Sequence, residues 1–520
     1  MAVSDKLFEL IKSLTKQEKI YFKTYAKSNK GDSKNYIQLF NAIADQKIYD
    51  EQKIKQKFKN ERFVKQLSVA KDYLFKMIMK SLRNYDDFNP PLHIELQQML
   101  HEIKILAEKA LYHSCEKVIQ KAEKLAAESE MFLYLSYVLG WKRIILLSRG
   151  EYLENRKKIQ TILKEQTTAL EKEKNVILFR DLYDNLSAIA INSMTIRDKE
   201  KKQEIDGIMH NPLLSSVNMA MGFLSKLHFY NIHHIYFKQL RNRPQSYLYS
   251  TNVVMLFESK EHGLFLTEYK ERYCMALINL LIDQAWLRKE SEFNKTIHKL
   301  NTFLDKYREL KIIVFPRTYI ARTLLFELIG KFDEVSSLVD EFEKEMAQFK
   351  GEVPKERLTI LYSNFATMYM GKQDYKKALY WNNKVLNETP KELLVDFYCA
   401  SLILDLLIHY ELGNSELLES LTRSTHRYLL QRRNLFKFED AFIKFIRIQL
   451  PKVNDQEGLI EAFKKLKEQF VEFQKDNFEK AGMDIFDYIS WLESKIENRP
   501  FAEIVREKGA SNSYFQFATL

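Results

Sequence analysis

Along most of this chain apolar residues return every three or four positions, the spacing that lines one side of an α-helix. Phe63, Leu67, Ala70, Leu74, Ile78 and Leu82 mark one such face. The period continues through "SKLHFYNIHHIYFKQLRNRPQSYLYSTNVVMLF" and, near the end, through "EDAFIKFIRIQL" and "LIEAFKKLKEQFVEF". Thr15-Lys16-Gln17-Glu18 reads as a capping box that opens a helix carrying Ile20, Tyr21, Phe22 and Tyr25. Breakers are scarce: 13 Gly and 9 Pro in 520 residues supply too few turns for an α/β enzyme or a β-sandwich. Pro90 and Pro91, after "DDFN", forbid helix continuation and predict a boundary. It closes an N-terminal helical bundle, residues 1–88.

After that boundary one kind of turn recurs. Its clearest copy lies in "ATMYMGKQDYKKALYWNNKVLNETP", with Tyr375 at the turn. "SRGEYLENRKKI" places Gly150 and Tyr152 there, followed by Ile159 and Ile162; "LIGKFDEVSSLVDEF" places Gly330 and Phe332, followed by Val335, Val339 and Phe342. "KESEFNKTIHKLNTF" offers Phe293, Leu300 and Phe303, and "KALYHSCEKVIQKA" offers Tyr112, Cys115, Ile119 and Ala122. A weaker echo surrounds Gly413. The turn positions 112, 152, 293, 332, 375 and 415 are separated by 40, 141, 39, 43 and 40 residues. A lone hairpin cannot cover its own apolar face, so a constant interval is the signature of stacked hairpins.

The unit starting at Thr359 resembles a tetratricopeptide repeat. Tyr362, Phe365, Ala366 and Tyr369 match its first helix, Ala378 the small position of its second, and Pro390 its end. Asn382 and Val385 depart from the pattern, where an aromatic residue and Ala are usual. The resemblance runs over residues 96–432. It implies an all-α fold, a right-handed superhelix of helical hairpins over residues 92–500 with capping helices at its C-terminal end. The intervals exceed the usual ~34 residues, so the helices are expected to be a few residues longer. The 141-residue gap has room for about three units of this length. Residues 501–520 are expected to be a tail, whose Tyr514, Phe515 and Phe517 either dock on the array or stay disordered.

Charge changes the picture mainly at the N-terminus. The net charge is +11, and residues 1–90 hold 19 Lys and Arg against 11 Asp and Glu, leaving +3 for the rest. Lys65, Lys76, Lys80 and Arg83 form a basic stripe on one predicted helix, diluted by Asp72; Lys53, Lys55, Lys57 and Lys59 alternate and spread around another. A solvated surface is the ordinary reading, and contact with nucleic-acid phosphates or an acidic protein is the other. The order of modules resembles that of peptide-sensing regulators that place a helix-turn-helix before such repeats, although no helix-turn-helix signature is found.

Candidate chemistry is sparse. Neither GxxxxGK[ST], GxGxxG after a strand, nor HExxH occurs. His228, His233 and His234 cluster among aromatic residues, but spacings of five and six do not set two imidazoles one helical turn apart for zinc. Cys115, Cys274 and Cys399 make no metal-like spacing and suit buried thiols in a reducing cytoplasm. The first residues, MAVSDKLFELIKSL, lack a signal-peptide core. The apolar stretch 393–412 is interrupted by Asp396, Asp405, His409 and Glu411, and reads as a buried helix rather than a membrane span.

What remains is a binding surface. By resemblance, groove-lining positions are Arg317, Ile320, Leu324 and Glu327 in one unit and Ile360, Ser363, Thr367 and Met370 in the next. The Lys and Asn clamp of chaperone-tail binders is absent apart from Asn364, so no such specificity is expected. The sequence therefore predicts a cytoplasmic, non-enzymatic scaffold that binds a protein or peptide without a cofactor. A nucleic-acid-associated regulator is the alternative, and a homo-oligomer fits either.

Overall fold

The computed structural model describes residues 3–28, 33–86, 91–148, 152–190, 199–259, 263–349, 353, 355–388, 395–431 and 435–510. Among them every regular element is a helix. The chain divides into two compact units, residues 1–166 and 167–520.

The first unit opens with a bundle of α1 (Val3–Ser13), α2 (Lys16–Ser28), α3 (Ser33–Ala44), α4 (Glu51–Lys57) and α5 (Leu67–Asp86). The expected capping box is present: the Glu18 N–H donates to Thr15 Oγ1 at 3.2 Å and the Thr15 N–H to Glu18 Oε2 at 2.7 Å. Leu67, Ala70, Leu74 and Ile78 of α5 meet Leu7, Ile11, Phe22, Leu39 and Phe40 in one apolar core. Lys71 is buried there, and its ammonium is held by Glu51 and Tyr49. A second core joins α6 (Leu92–Glu108), α7 (Tyr112–Glu128) and α8 (Phe132–Ser148) through Leu96, Ile103, Cys115, Ile119, Val138 and Ile145. The break expected near residue 88 thus separates two cores inside the first unit. Pro91 stands at the N-cap of α6, while residues 87–90 lie outside the described set.

α9 (Tyr152–Ala190) carries the chain into the second unit. There follow α10 (Lys199–Met209), α11 (Phe223–Gln239), α12 (Arg243–Glu258), α13 (Gly263–Glu268), α14 (Lys270–Trp286), α15 (Glu290–Lys306), α16 (Lys311–Leu328) and α17 (Val335–Met346). Next come α18 (Lys355–Gly371), α19 (Tyr375–Glu388), α20 (Val395–Glu411) and α21 (Ser415–Gln431). The chain ends with α22 (Lys437–Lys444), α23 (Gln456–Phe473), α24 (Asn477–Met483), α25 (Tyr488–Glu497) and α26 (Phe501–Ala510).

Pairs of these helices share one turn. Arg241, Arg288, Gly330, Gln373 and Gly413 each adopt a left-handed conformation, φ from 54° to 71°, directly after a helix. The next N–H returns to a carbonyl five residues back, as in Lys331 to Phe326 at 2.8 Å and Asp374 to Tyr369 at 3.0 Å. This is the Schellman closure, which satisfies carbonyls orphaned at a helix end. The five turns are 47, 42, 43 and 40 residues apart. Around them α11 packs on α12, α14 on α15, α18 on α19 and α20 on α21; α14, α16, α18 and α20 also pack on one another in succession. The expected buried positions follow: Phe293, Phe332, Val335, Tyr362, Phe365, Ala366, Tyr369 and Ala378 are all covered.

Two expectations change. The 141-residue gap contains one hairpin with this turn, at Arg241, rather than three, because α9 alone spends 39 residues on a single helix. Residues 501–510 are not a loose tail but the helix α26, which buries Phe501, Ile504 and Val505. The apolar stretch expected to be a buried helix is one: α20 packs in the same core as α16, α18 and α25. Gly150, Pro390 and residues 511–520 lie outside the described set. No helix among the described residues is long and apolar enough to cross a membrane.

Candidate functional site

The eight groove positions lie on α16 and α18, which pack side by side. Ser363, Thr367 and Met370 are 2%, 4% and 3% exposed; Ile320, Leu324 and Ile360 are half-buried. They are therefore not an open groove. At Leu324, Glu327 and Thr367 the cover comes from the end of the same chain. Phe501 of α26 sits between Phe332 and Phe486, with ring centroids 5.3 and 5.4 Å away. Asp484 pairs with Arg241 at 2.9 Å, and Lys495 and the Trp491 indole N–H reach Glu411 at 2.6 and 2.5 Å. The C-terminal helices thus touch the hairpin ends near four of the five turns, counting α26 at Gly330 and at Arg288, whose Nη1 donates to the Lys508 carbonyl at 3.5 Å.

Between this cover and the two helices remains a cavity of about 100 Å³, lined by Leu324, Glu327 and Thr367 from one side and by Phe486, Phe501 and Val505 from the other. The Thr367 hydroxyl donates to Glu327 Oε1. Burial dominates over that bond and pushes the Glu327 carboxyl up to about 8. Glu327 is half-buried by area, and it borders the cavity rather than a charged partner. Sequence spacing brought Leu324, Glu327 and Thr367 to one place, and the structure keeps them together as an interface within the chain.

Arg317 points away from this cavity. Its Nη1 donates to the Ile313 carbonyl at 3.3 Å, and Arg357 donates to the same oxygen at 3.1 Å. Arg357 carried no sequence signal, because only packing of α16 on α18 brings it to Arg317.

In the first unit, Lys76, Lys80 and Arg83 lie on the exposed side of α5, and Lys65 is exposed on the short 3-10 helix, Arg62–Gln66, that precedes it. Lys76 pairs with Asp72 at 2.8 Å, a solvated contact within one helix. Val69 and Tyr73 share that side at 64% and 52% exposure. An open cleft between α7, α8 and α9 is floored by Ile119, Ile145 and Ile162 and rimmed by both charge signs, including Lys142 and Glu165.

The histidines are internal. His234 Nε2 lies 3.0 Å from Asp283 Oδ2, and the Ser246 hydroxyl donates to Asp283 Oδ1 at 2.8 Å. Burial works to raise the Asp283 carboxyl, but these contacts overcome it and hold it below the usual range. Burial pushes His228 down to about 4, with Arg272 and Arg180 adding to the effect. Here the carboxylate is the centre of the hydrogen bonds and the Ser does not touch a His, the reverse of a nucleophile–base pair. Among the described residues no group of three His, Cys, Asp or Glu is placed to hold a metal ion. The three cysteines are buried free thiols. No family model, no curated protein and no solved structure matches this chain.

Proposed function

We propose that the chain is a non-enzymatic protein-binding scaffold, a tetratricopeptide-like superhelix of hairpins preceded by a helical bundle. The observation that carries this reading is the Schellman turn repeated at 47, 42, 43 and 40 residues, with the helices before it packed on one another from α14 to α20. Such stacking multiplies side-chain surface along a row of hairpins, and it needs no catalytic cluster. Its free cysteines suit a reducing cytoplasm. Because the C-terminal helices already cover Leu324 and Glu327 of α16 and Thr367 of α18, a partner engages other faces of the array, or meets these residues after the cover moves.

The test is affinity capture of the tagged full chain from its native lysate, with and without nuclease, followed by rebinding of each purified candidate. A defined protein that survives nuclease and rebinds in constant stoichiometry is the expected result. Retention of nucleic acid alone overturns the scaffold reading.

A second reading, a nucleic-acid-associated regulator, is favoured by how α5 arranges its exposed side. At about 100° per residue, Lys76 and Arg83 fall within about 20° of one line on α5, with Lys80 about 60° from Arg83. Met79 and Phe75 flank this row on one side and Tyr73 on the other. Cations in the middle and apolar groups at the rim invert a helix-packing seam and suit a row of phosphates. Lys80→Glu with Arg83→Glu should then abolish a salt-sensitive affinity for a DNA duplex, measured by fluorescence anisotropy. Equal binding by wild type and variant rejects it.

A further inference from the structure

Arg317 and Arg357 form the most unusual charge arrangement in the second unit. They come from successive helices, α16 and α18, and both guanidiniums converge on one carbonyl oxygen, that of Ile313. Both arginines are half-buried. Other arginines in such positions hold a carboxylate: Arg241 pairs with Asp484 and Arg322 with Glu341, each at 2.9 Å. Among the described residues, neither Arg317 nor Arg357 has one. Burial and then the neighbouring Arg357 charge lower Arg317 to about 10. A single carbonyl dipole does not balance two guanidiniums drawn together and partly desolvated.

We propose that Arg317 and Arg357 are a binding site for a phosphoryl group. Each guanidinium has five N–H donors in a planar fork and spends one of them on Ile313, leaving the rest to converge on an oxyanion. A carboxylate matches one fork and one positive charge. A phosphoryl dianion matches both charges and supplies three oxygens for two forks. The site does not depend on the scaffold reading, because it requires only the packing of α16 on α18. Free orthophosphate and a phosphorylated side chain of another protein share this chemistry, and the arms below separate them.

The experiment is thermal unfolding of the full chain, titrated with orthophosphate, O-phosphoserine, acetate or glutamate at constant ionic strength. Orthophosphate should raise the unfolding temperature saturably, as a ligand of the native state does. Arg317→Gln or Arg357→Gln should weaken that effect at least about tenfold, the loss of one charge-assisted contact. Without anion, neither variant should unfold at a lower temperature than wild type, since each removes a like-charge neighbour. O-phosphoserine binding more tightly than orthophosphate assigns the site to a phosphorylated protein; weaker binding assigns it to the free anion. Acetate or glutamate equalling orthophosphate overturns the proposal. So does a pair of variants that lose stability without anion yet keep the full orthophosphate shift, which would mark the arginines as structural.

Discussion

The outer side of α5 and the adjoining sides of α16 and α18 carry similar mixtures of apolar, hydroxyl and charged residues in very different surroundings. On α5, Val69 and Tyr73 stand 64% and 52% exposed beside Lys76 and Lys80. On α18, Thr367 is 4% exposed and faces Phe501 and Val505 of α26 across the cavity. A charged group on α5 keeps its water and costs the fold little. The Glu327 carboxyl beneath the C-terminal helices loses water and becomes a weaker acid. Position on a helix therefore does not decide whether a side chain binds a partner; the cover supplied by distant sequence does.

The largest effect should come from removing that cover's anchor. Phe501→Ala leaves a void between Phe332 and Phe486 and should cost about 3–5 kcal/mol in urea unfolding, whereas Tyr73→Ala on α5 should change stability by less than ~0.5 kcal/mol. Equal losses at the two sites would erase the contrast between them.

Glu327 sharpens it through pH. Its carboxyl titrates near 8 in the fold against 4.5 for an ordinary Glu, so the native state keeps a proton that the unfolded chain has released. The stability associated with that proton is fully present below pH 4.5, drains as the pH rises towards 8, and does not fall further above it. Glu327→Gln keeps a neutral hydrogen-bonding group in place. It should be stabilising by on the order of 2 kcal/mol at pH 7 and neutral at pH 4, a figure discounted for the surface that Glu327 retains. A variant gain that is the same at both pH values would show that Glu327 is ionised in the fold.

Much of the local architecture is legible in the residues themselves. Thr15 and Glu18 specify their cap, the face from Phe63 to Leu82 finds the bundle core, and Gly330 marks a turn because a left-handed residue is required there. Arg241, Arg288 and Gln373 take the same conformation without being glycine; the units at Gln373 and Arg288 are legible from the apolar positions that follow them, while the turn at Arg241 is not. Asn382, the departure from the repeat pattern, has a long-range cause: it is fully buried and donates to the Ser401 carbonyl at 3.1 Å and to Asp405 at 3.3 Å on α20. An aromatic ring would leave those acceptors unpaired. Leu324, Glu327 and Thr367 are legible as neighbours but not as covered, because α26 reaches them from more than a hundred residues away in sequence.

Two glycines isolate the cover's own share. Gly330 and Gly413 both have φ near +71°, but a Cβ on Gly330 would stand 2.6 Å from Arg506 Cγ and 2.9 Å from the Ala502 carbonyl oxygen, while one on Gly413 meets nothing within 4 Å. Gly413→Ala should cost about 1 kcal/mol for the left-handed backbone alone, and Gly330→Ala about 1 kcal/mol more as α26 is displaced. Matching losses would mean that α26 yields freely at this turn.

The smallest expected change in stability belongs to Asp72→Asn, and it bears most directly on what α5 is for. The Lys76–Asp72 pair is i,i+4, with side chains 73% and 55% exposed, so breaking it should alter unfolding by less than ~0.5 kcal/mol. It also frees Lys76 and removes the acid that pairs with it among the exposed cations of that face. If the row from Lys65 to Arg83 follows phosphates, the variant should bind a DNA duplex a few-fold more tightly and with a steeper salt dependence, since one more cation releases counterions. If the row is a solvated surface, affinity and salt slope stay where they were. Either way the fold is unchanged, so the difference between the two outcomes reads the function of the face rather than its stability.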